Sequence, residues 1–269
     1  MFLSTRLSEL SALITGGSRG IGRAVALQFA REGANVAFSH LGDDAHAQSL
    51  LAELRAIPRD GPSEPRFFAF DSDAGNGAAV TQLVQDAIAS LGKLDCLINN
   101  VGIQTPTHGE DFDEADFSRI LAVNLTGAAL ACRAALAHFL TRGGGCIINT
   151  SSVHETIPKP GYLAYSVSKG GLGNLTRTLA LEFAARHIRV NAVAPGAITT
   201  DMNAAWVDDA ASRAKVESHI PMQRAASAAE IAPVFAFLAS REASYITGQT
   251  LNVCGGLTLY GDFQTNWAS

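Results

Sequence analysis

The sequence has no run of like charge, no paired cysteines and no apolar stretch of membrane-spanning length, and each absence removes a class of protein. Its 269 residues carry 20 Lys and Arg against 25 Asp and Glu, a formal net charge of −5. The basic residues are scattered, so the electrostatic footprint of a nucleic-acid partner is missing. Residues 1–10 offer no basic stretch leading into an apolar run, because Ser4, Thr5, Arg6, Ser8 and Glu9 interrupt it, and no export signal is read there. The most apolar internal stretches, 128–140 and 231–239, fall short of the roughly 20 residues that cross a bilayer and read as buried helices. Neither nucleic acid nor membrane is an expected partner. The four cysteines, Cys96, Cys132, Cys146 and Cys254, lie far apart with no Cys-x-x-Cys pair and no matching His cluster. No metal site and no disulfide framework are expected; reduced thiols in a cytoplasm are.

What is present is enough apolar material, 47% of residues, to bury one large core, and 1–269 is expected to form one α/β domain. Short apolar runs at 12–15, 35–39, 66–70, 96–99, 146–151, 189–193 and 250–253 alternate with helix-period segments near 21–32, 45–56, 78–90, 112–140, 162–186 and 228–239. That alternation predicts seven parallel strands with helices on both faces, a doubly wound sheet. The stretch 58–65, with three prolines and a glycine, predicts an irregular surface loop rather than a domain boundary. The polar, helix-prone stretch 201–220 fits no core strand and is expected to pass over the site as a possible lid.

The first strand runs into Thr15-Gly16-Gly17-Ser18-Arg19-Gly20-Ile21-Gly22 and then a helix. In that context Gly16, Ser18, Gly20, Ile21 and Gly22 predict a phosphate-binding turn: glycine allows a tight turn, close backbone approach to a pyrophosphate and close helix–sheet packing. The helix N-terminus adds free N–H groups and positive dipole. The second strand ends in Phe38-Ser39-His40-Leu41, with no carboxylate at its tip to hold a ribose 2′-hydroxyl. Arg19, Ser39 and His40 could instead hold a 2′-phosphate, so NADP(H) is favoured, with NAD(H) as the alternative.

Three further motifs follow in order: Asn99-Asn100-Val101-Gly102 after the fourth strand, Ser152 after the fifth, and Tyr165-Ser166-Val167-Ser168-Lys169 opening a long helix. With the glycine turn and Pro195-Gly196, the ordered set resembles the short-chain dehydrogenase/reductase family over nearly the whole chain. Ser151-Ser152-Val153-His154-Glu155, Ile157-Pro158 and the run 195–200 look most like its bacterial glucose 1-dehydrogenase members. Departures from that subgroup are Gln104 in place of a sugar-contacting glutamate, Val101 in place of alanine and Cys254 in place of aspartate. The resemblance implies a Rossmann-type fold, a homotetramer, and cofactor contacts from Asn100, Gly102, Asp71, Pro195, Gly196, Ile198 and Thr200. It also implies that Asn124 holds a backbone carbonyl, and through it a water relaying protons to Lys169.

The residue types suit hydride chemistry. The cofactor would carry the hydride, and a protein acid must supply or take the proton. Tyr165, with an ordinary pKa near ~10, is a weak partner at neutral pH unless its phenolate is stabilised. Lys169, one helical turn further on, is expected to do that and to hold the nicotinamide ribose. Ser152, at a strand's C-terminal end, can hydrogen-bond the substrate oxygen, while Gln104, His154 and Asn203 are expected substrate contacts. Taken singly, Tyr165 and Lys169 could be an exposed helix pair, Ser152 a cap and Asn124 a satisfied buried amide. The expected function is hydride transfer between nicotinamide and a carbonyl or alcohol, a sugar or polyol first, a 3-oxoacyl or small-ketone substrate second. A non-catalytic nucleotide sensor is the alternative from another class.

Overall fold

The computed structural model describes residues 6–58 and 65–259, so most of the 58–65 loop lies outside the described residues. Three strand–helix units open the chain: β1 (Ser11–Ile14) and α1 (Gly20–Arg31), β2 (Asn35–His40) and α2 (Asp44–Ala56), β3 (Phe67–Asp71) and α3 (Gly77–Leu91). Then β4 (Cys96–Asn99) leads into α4 (Glu114–Leu121) and α5 (Gly127–Arg142), and β5 (Gly145–Thr150) into α6 (Leu163–Phe183). After β6 (Ile188–Pro195) comes an excursion of β7 (Ile198–Thr199), α7 (Ala204–Val207), α8 (Ala210–Glu217) and β8 (Ala226–Ser227), followed by α9 (Ala228–Ala239) and β9 (Thr250–Val253).

The seven long strands form one parallel sheet in the order β3-β2-β1-β4-β5-β6-β9. Its strands are apolar because both faces are covered. In β1, Leu13 faces the cluster built with α3 and α5, while Ala12 and Ile14 face the one built with α1, α2 and α9. In β4, Leu97 joins the first cluster and Cys96 and Ile98 the second. Strand order reverses between β1 and β4, which opens a crevice at their C-terminal ends.

The seven strands and the doubly wound sheet are those the alternation predicts. The expected helix 112–140 is instead α4, a π-helical turn at Ala122–Thr126, and α5. Gly127 meets Ala74 closely here, since a Cβ on it would stand 2.2 Å from the Ala74 carbonyl oxygen. As one helix, Glu114–Arg142 is long and apolar enough to cross a membrane, which the shorter stretch 128–140 is not. Ala131, Cys132, Ala135, Leu136 and Phe139 are nevertheless buried in the core with α3. The pairing of β7 with β8 also escapes the pattern, because two-residue strands carry no alternation.

Some helix starts carry side-chain caps. Asn76 caps α3, Asp113 caps α4, and Ser227 with Glu230 forms a capping box on α9. The start of α1, after the glycine turn, has no side-chain cap and no acidic residue in its first turn.

Candidate active site

A cleft of about 1270 Å³ runs from the glycine turn, across the C-terminal ends of β1, β4 and β5, to the 201–220 excursion. That exceeds the roughly 300–1,000 Å³ of a single small-molecule pocket, leaving room for a dinucleotide and a second molecule.

The glycine turn fits a pyrophosphate by two observations. The start of α1 is uncapped, and its residues Gly20 and Ile21 line the cleft. Gly16 turns with φ +65°, and a Cβ there would lie 2.9 Å from a Val101 methyl. Gly22 lies behind the lining, where a Cβ would be 2.2 Å from the Gly16 carbonyl oxygen, so it sets the closeness of helix to turn. Asn100 fastens the turn: its Nδ2 donates to Gly16 O at 2.9 Å, and its Oδ1 accepts from Thr150 Oγ1 at 3.3 Å. Thr15 Oγ1 accepts from the N–H of Asn100 at 2.9 Å. Gly102, Pro195, Gly196, Ile198 and Thr200 line the cleft beyond.

At the adenosine end, Arg19, Ser39 and His40 line the cleft. The Ser39 hydroxyl accepts from the N–H of Gly16 at 3.1 Å. The carboxylate missing from the strand tip is found further along: Asp43 takes Arg19 Nε at 3.0 Å and Ser18 Oγ at 2.8 Å. Burial works to raise the Asp43 pKa, but Ser18, His46 and Arg19 together hold it below the ordinary carboxylate value. Asp71 is exposed and accepts from the N–H of Gly42 at 3.1 Å; Ser72 and Asp73, rather than Asp71, line the cleft.

Tyr165, Lys169, Ser152 and Asn124 come together at the centre, all buried. Tyr165 and Lys169 share one face of α6, and Ser152 stands just past β5. Lys169 Nζ donates to Thr150 O at 2.8 Å and lies 5.6 Å from the Tyr165 ring centre. Burial pushes its pKa down to about 8, against the pull of the Glu155 charge. Burial raises the Tyr165 pKa, and the hydrogen bond with Ser152 works against it. The ammonium is turned to the Thr150 carbonyl. Asn124 lies in the π-helical turn and grips Ile103 from both sides, Nδ2 to the carbonyl at 2.9 Å and Oδ1 from the N–H at 2.8 Å.

At the substrate end, Gln104 and His154 stand beside Tyr165, with His154 edge-on to its ring at 6.2 Å. His154 Nδ1 donates to Ile157 O at 3.0 Å, which leaves Nε2 facing the cleft as an acceptor. Burial lowers its pKa, which favours the neutral ring. Asn203 lines the cleft, but its Nδ2 is committed to Ile198 O at 2.8 Å, so it braces the excursion more than it faces a ligand.

Sequence reasoning missed Asp43, Lys159 and Glu155. Asp43 lies beyond the strand tip, and Lys159 sits between two prolines with no periodic signal. Glu155 is buried: it accepts from Ser151 Oγ at 2.6 Å, Thr250 Oγ1 at 3.2 Å and Arg177 Nη1 at 3.1 Å.

A backbone seat for pyrophosphate at the sheet's switch point, with tyrosine, lysine and serine beside it, defines an oxidoreductase that works on a nicotinamide dinucleotide. The family model for enoyl-(acyl carrier protein) reductase matches residues 16–258, and the chain belongs to the short-chain dehydrogenase/reductase family. It is 48% identical to glucose 1-dehydrogenase of Gluconobacter oxydans, covering 98% of this chain and 97% of that one. It is 42% identical to 3beta-hydroxysteroid dehydrogenase 1 of Eggerthella lenta, covering 96% and 97%. A solved short-chain dehydrogenase from Burkholderia cenocepacia in complex with NADP superposes with a TM-score of 0.85 at 34% identity, covering 94% of this chain and 99% of that chain. The chain is therefore an enzyme, and the nucleotide-sensor alternative is set aside.

Proposed function

We propose that this enzyme is an NADP(H)-preferring dehydrogenase of a sugar or polyol, with Tyr165 as the group that exchanges a proton with the substrate oxygen. The cofactor supplies or accepts the hydride. Ser152 orients the substrate oxygen, Lys169 holds the nicotinamide ribose and keeps positive charge near the phenol, and Asn124 keeps Ile103 and the π-helical turn in register for proton relay. The observation that carries the substrate reading is the set of polar groups around Tyr165. Gln104, His154 Nε2, Lys159 and the Tyr162 hydroxyl give a hydroxyl-rich molecule partners as it leaves water. The likeness to the Gluconobacter glucose 1-dehydrogenase supports it.

Arg19 supports the cofactor reading, since a 2′-phosphate can displace the solvent-facing part of its contact with Asp43. Met202, Asn203, Trp206 and Val216 line the cleft from 201–220, which supports a lid role for that stretch within one catalytic domain. Exposed Val167 and Leu181 on α6 support assembly into a homo-oligomer, a tetramer by resemblance, in the cytoplasm. A cofactor-linked screen of sugars, polyols, simple ketones and 3-oxoacyl thioesters, with NADP(H) and NAD(H), tests the reading. Turnover of sugars or polyols with NADP(H) is expected; turnover confined to ketones or oxoacyl thioesters would replace it by the reductase alternative.

A further inference from the structure

Lys159 is half-buried at the substrate end. Its Nζ donates to Gln104 Oε1 at 2.8 Å, lies 3.7 Å from the centre of the Tyr162 ring and 5.5 Å from that of Tyr165. The ammonium is thus held beside the Tyr162 and Tyr165 rings by Gln104. Among the described residues it has no carboxylate partner, and burial alone pulls its pKa down. Of the acids that line the cleft, Asp43 and Asp201 pair with Arg19 rather than with Lys159.

A desolvated cation with only an amide oxygen and an aromatic face for company is incompletely compensated. The neighbouring amide is underused too. Among the described residues, Gln104 Nε2 reaches only Met202 O, at a long 3.5 Å. Two sets of donors therefore stand side by side, one charged and one neutral, which matches the two oxygens of a carboxylate. A glutamate at position 104 would have closed this seat by pairing with Lys159; the amide leaves it open.

We propose that Lys159 and Gln104 form an anion seat, so that the physiological substrate is a small polyhydroxy acid or its oxo form. Its carboxylate docks on these two side chains while its reacting alcohol or carbonyl meets Ser152 and Tyr165. The inference rests on the sugar-or-polyol reading above and narrows it to the acidic members of that class.

The test compares kcat/KM for matched pairs that differ in one terminal group: sorbitol with gluconate, xylitol with xylonate, glycerol with glycerate. The acid is expected to be preferred by roughly ten- to a hundredfold, the range of one charge-assisted hydrogen bond. The preference shrinks as ionic strength rises. Lys159→Met removes most of the acid-to-neutral ratio and Lys159→Arg keeps most of it, with NADPH binding as the control for folding. Neutral members turned over as well as the acids, or a ratio that Lys159→Met does not move, would overturn the anion seat and leave the polyol reading standing. Turnover of neither member of any pair, with turnover of a neutral ketone or oxoacyl thioester, would overturn both.

Discussion

At the nucleotide end of the cleft the ligand-facing groups are mostly backbone, held by glycines that nothing else can replace. At the substrate end they are side chains on the 102–104 and 153–162 segments and the 201–220 excursion. The first end is bound into the sheet through Thr15, Asn100 and Gly22; the second rests on loops whose side chains partner one another. One architecture can therefore keep a fixed cofactor seat while its substrate end is recomposed, and the two substrate classes named for its relatives, a glucose and a steroid, fit that division.

The largest effect is expected where the two ends meet. Tyr165→Phe lowers turnover by roughly 10²–10⁴-fold, the range for losing a positioned acid, while NADPH binding measured by fluorescence stays nearly unchanged. Wild-type turnover in that variant would show that another group moves the proton.

Next come two glycines, one behind the nucleotide turn and one in the loop between β4 and α4. A Cβ at position 22 meets Gly16 O at 2.2 Å and Asn100 Nδ2 at 2.6 Å, whereas one at position 109 meets nothing within 4 Å. Gly22→Ala is expected to lower stability by about 1–3 kcal/mol and to abolish cofactor binding; Gly109→Ala leaves the melting temperature where it was. Equal tolerance at both sites, read by thermal melts, would erase the proposed rigidity of the nucleotide end. Arg19→Ala should lower kcat/KM for NADPH by roughly tenfold relative to NADH, the worth of one exposed charge-assisted contact. An unchanged ratio would mean that Asp43 keeps the guanidinium from the cofactor.

The smallest effect is a shift in pH. Lys169 loses its proton near pH 8, so kcat/KM for carbonyl reduction should fall as pH rises past about 8. The Glu155 charge favours the ammonium, and Glu155→Gln should move that alkaline limb to lower pH. A limb that stays in place would make Glu155 a structural anchor only. The stability sign is opposite. Because burial depresses the folded-state pKa below the ordinary 10.5, the unfolded chain holds this proton more tightly. The lysine's contribution to stability therefore rises between about pH 8 and 10.5, and Lys169→Met should lose that rise.

The seven strands and the glycine turn were legible in the sequence because period and composition are local properties. So was the Tyr165–Lys169 spacing, which the helix converts directly into a shared face. Other features depend on what packs from far away in the chain. The π-helical turn around Asn124 lies inside a smooth helical pattern. Glu155 reads as a loop residue until Thr250 and Arg177 close around it. The Tyr165 pKa follows from burial, which no spacing reveals, and Lys159 gains meaning only when Gln104 and two rings surround it.

The contacts of Asn100 have a mechanical consequence. Gly16 O, the Asn100 amide, the Thr150 hydroxyl and carbonyl, and Lys169 Nζ form an unbroken series from the phosphate turn to the middle of α6. Two of its three hydrogen bonds end on main-chain carbonyls, indifferent to mutation at their own positions. The load falls on Asn100 and Thr150, side chains that act as a tie-rod across the sheet's reversal point. Strain applied to the turn is carried to the lysine without passing through the substrate loops. Substitutions in those loops can accumulate without bending the frame that aligns hydride with proton.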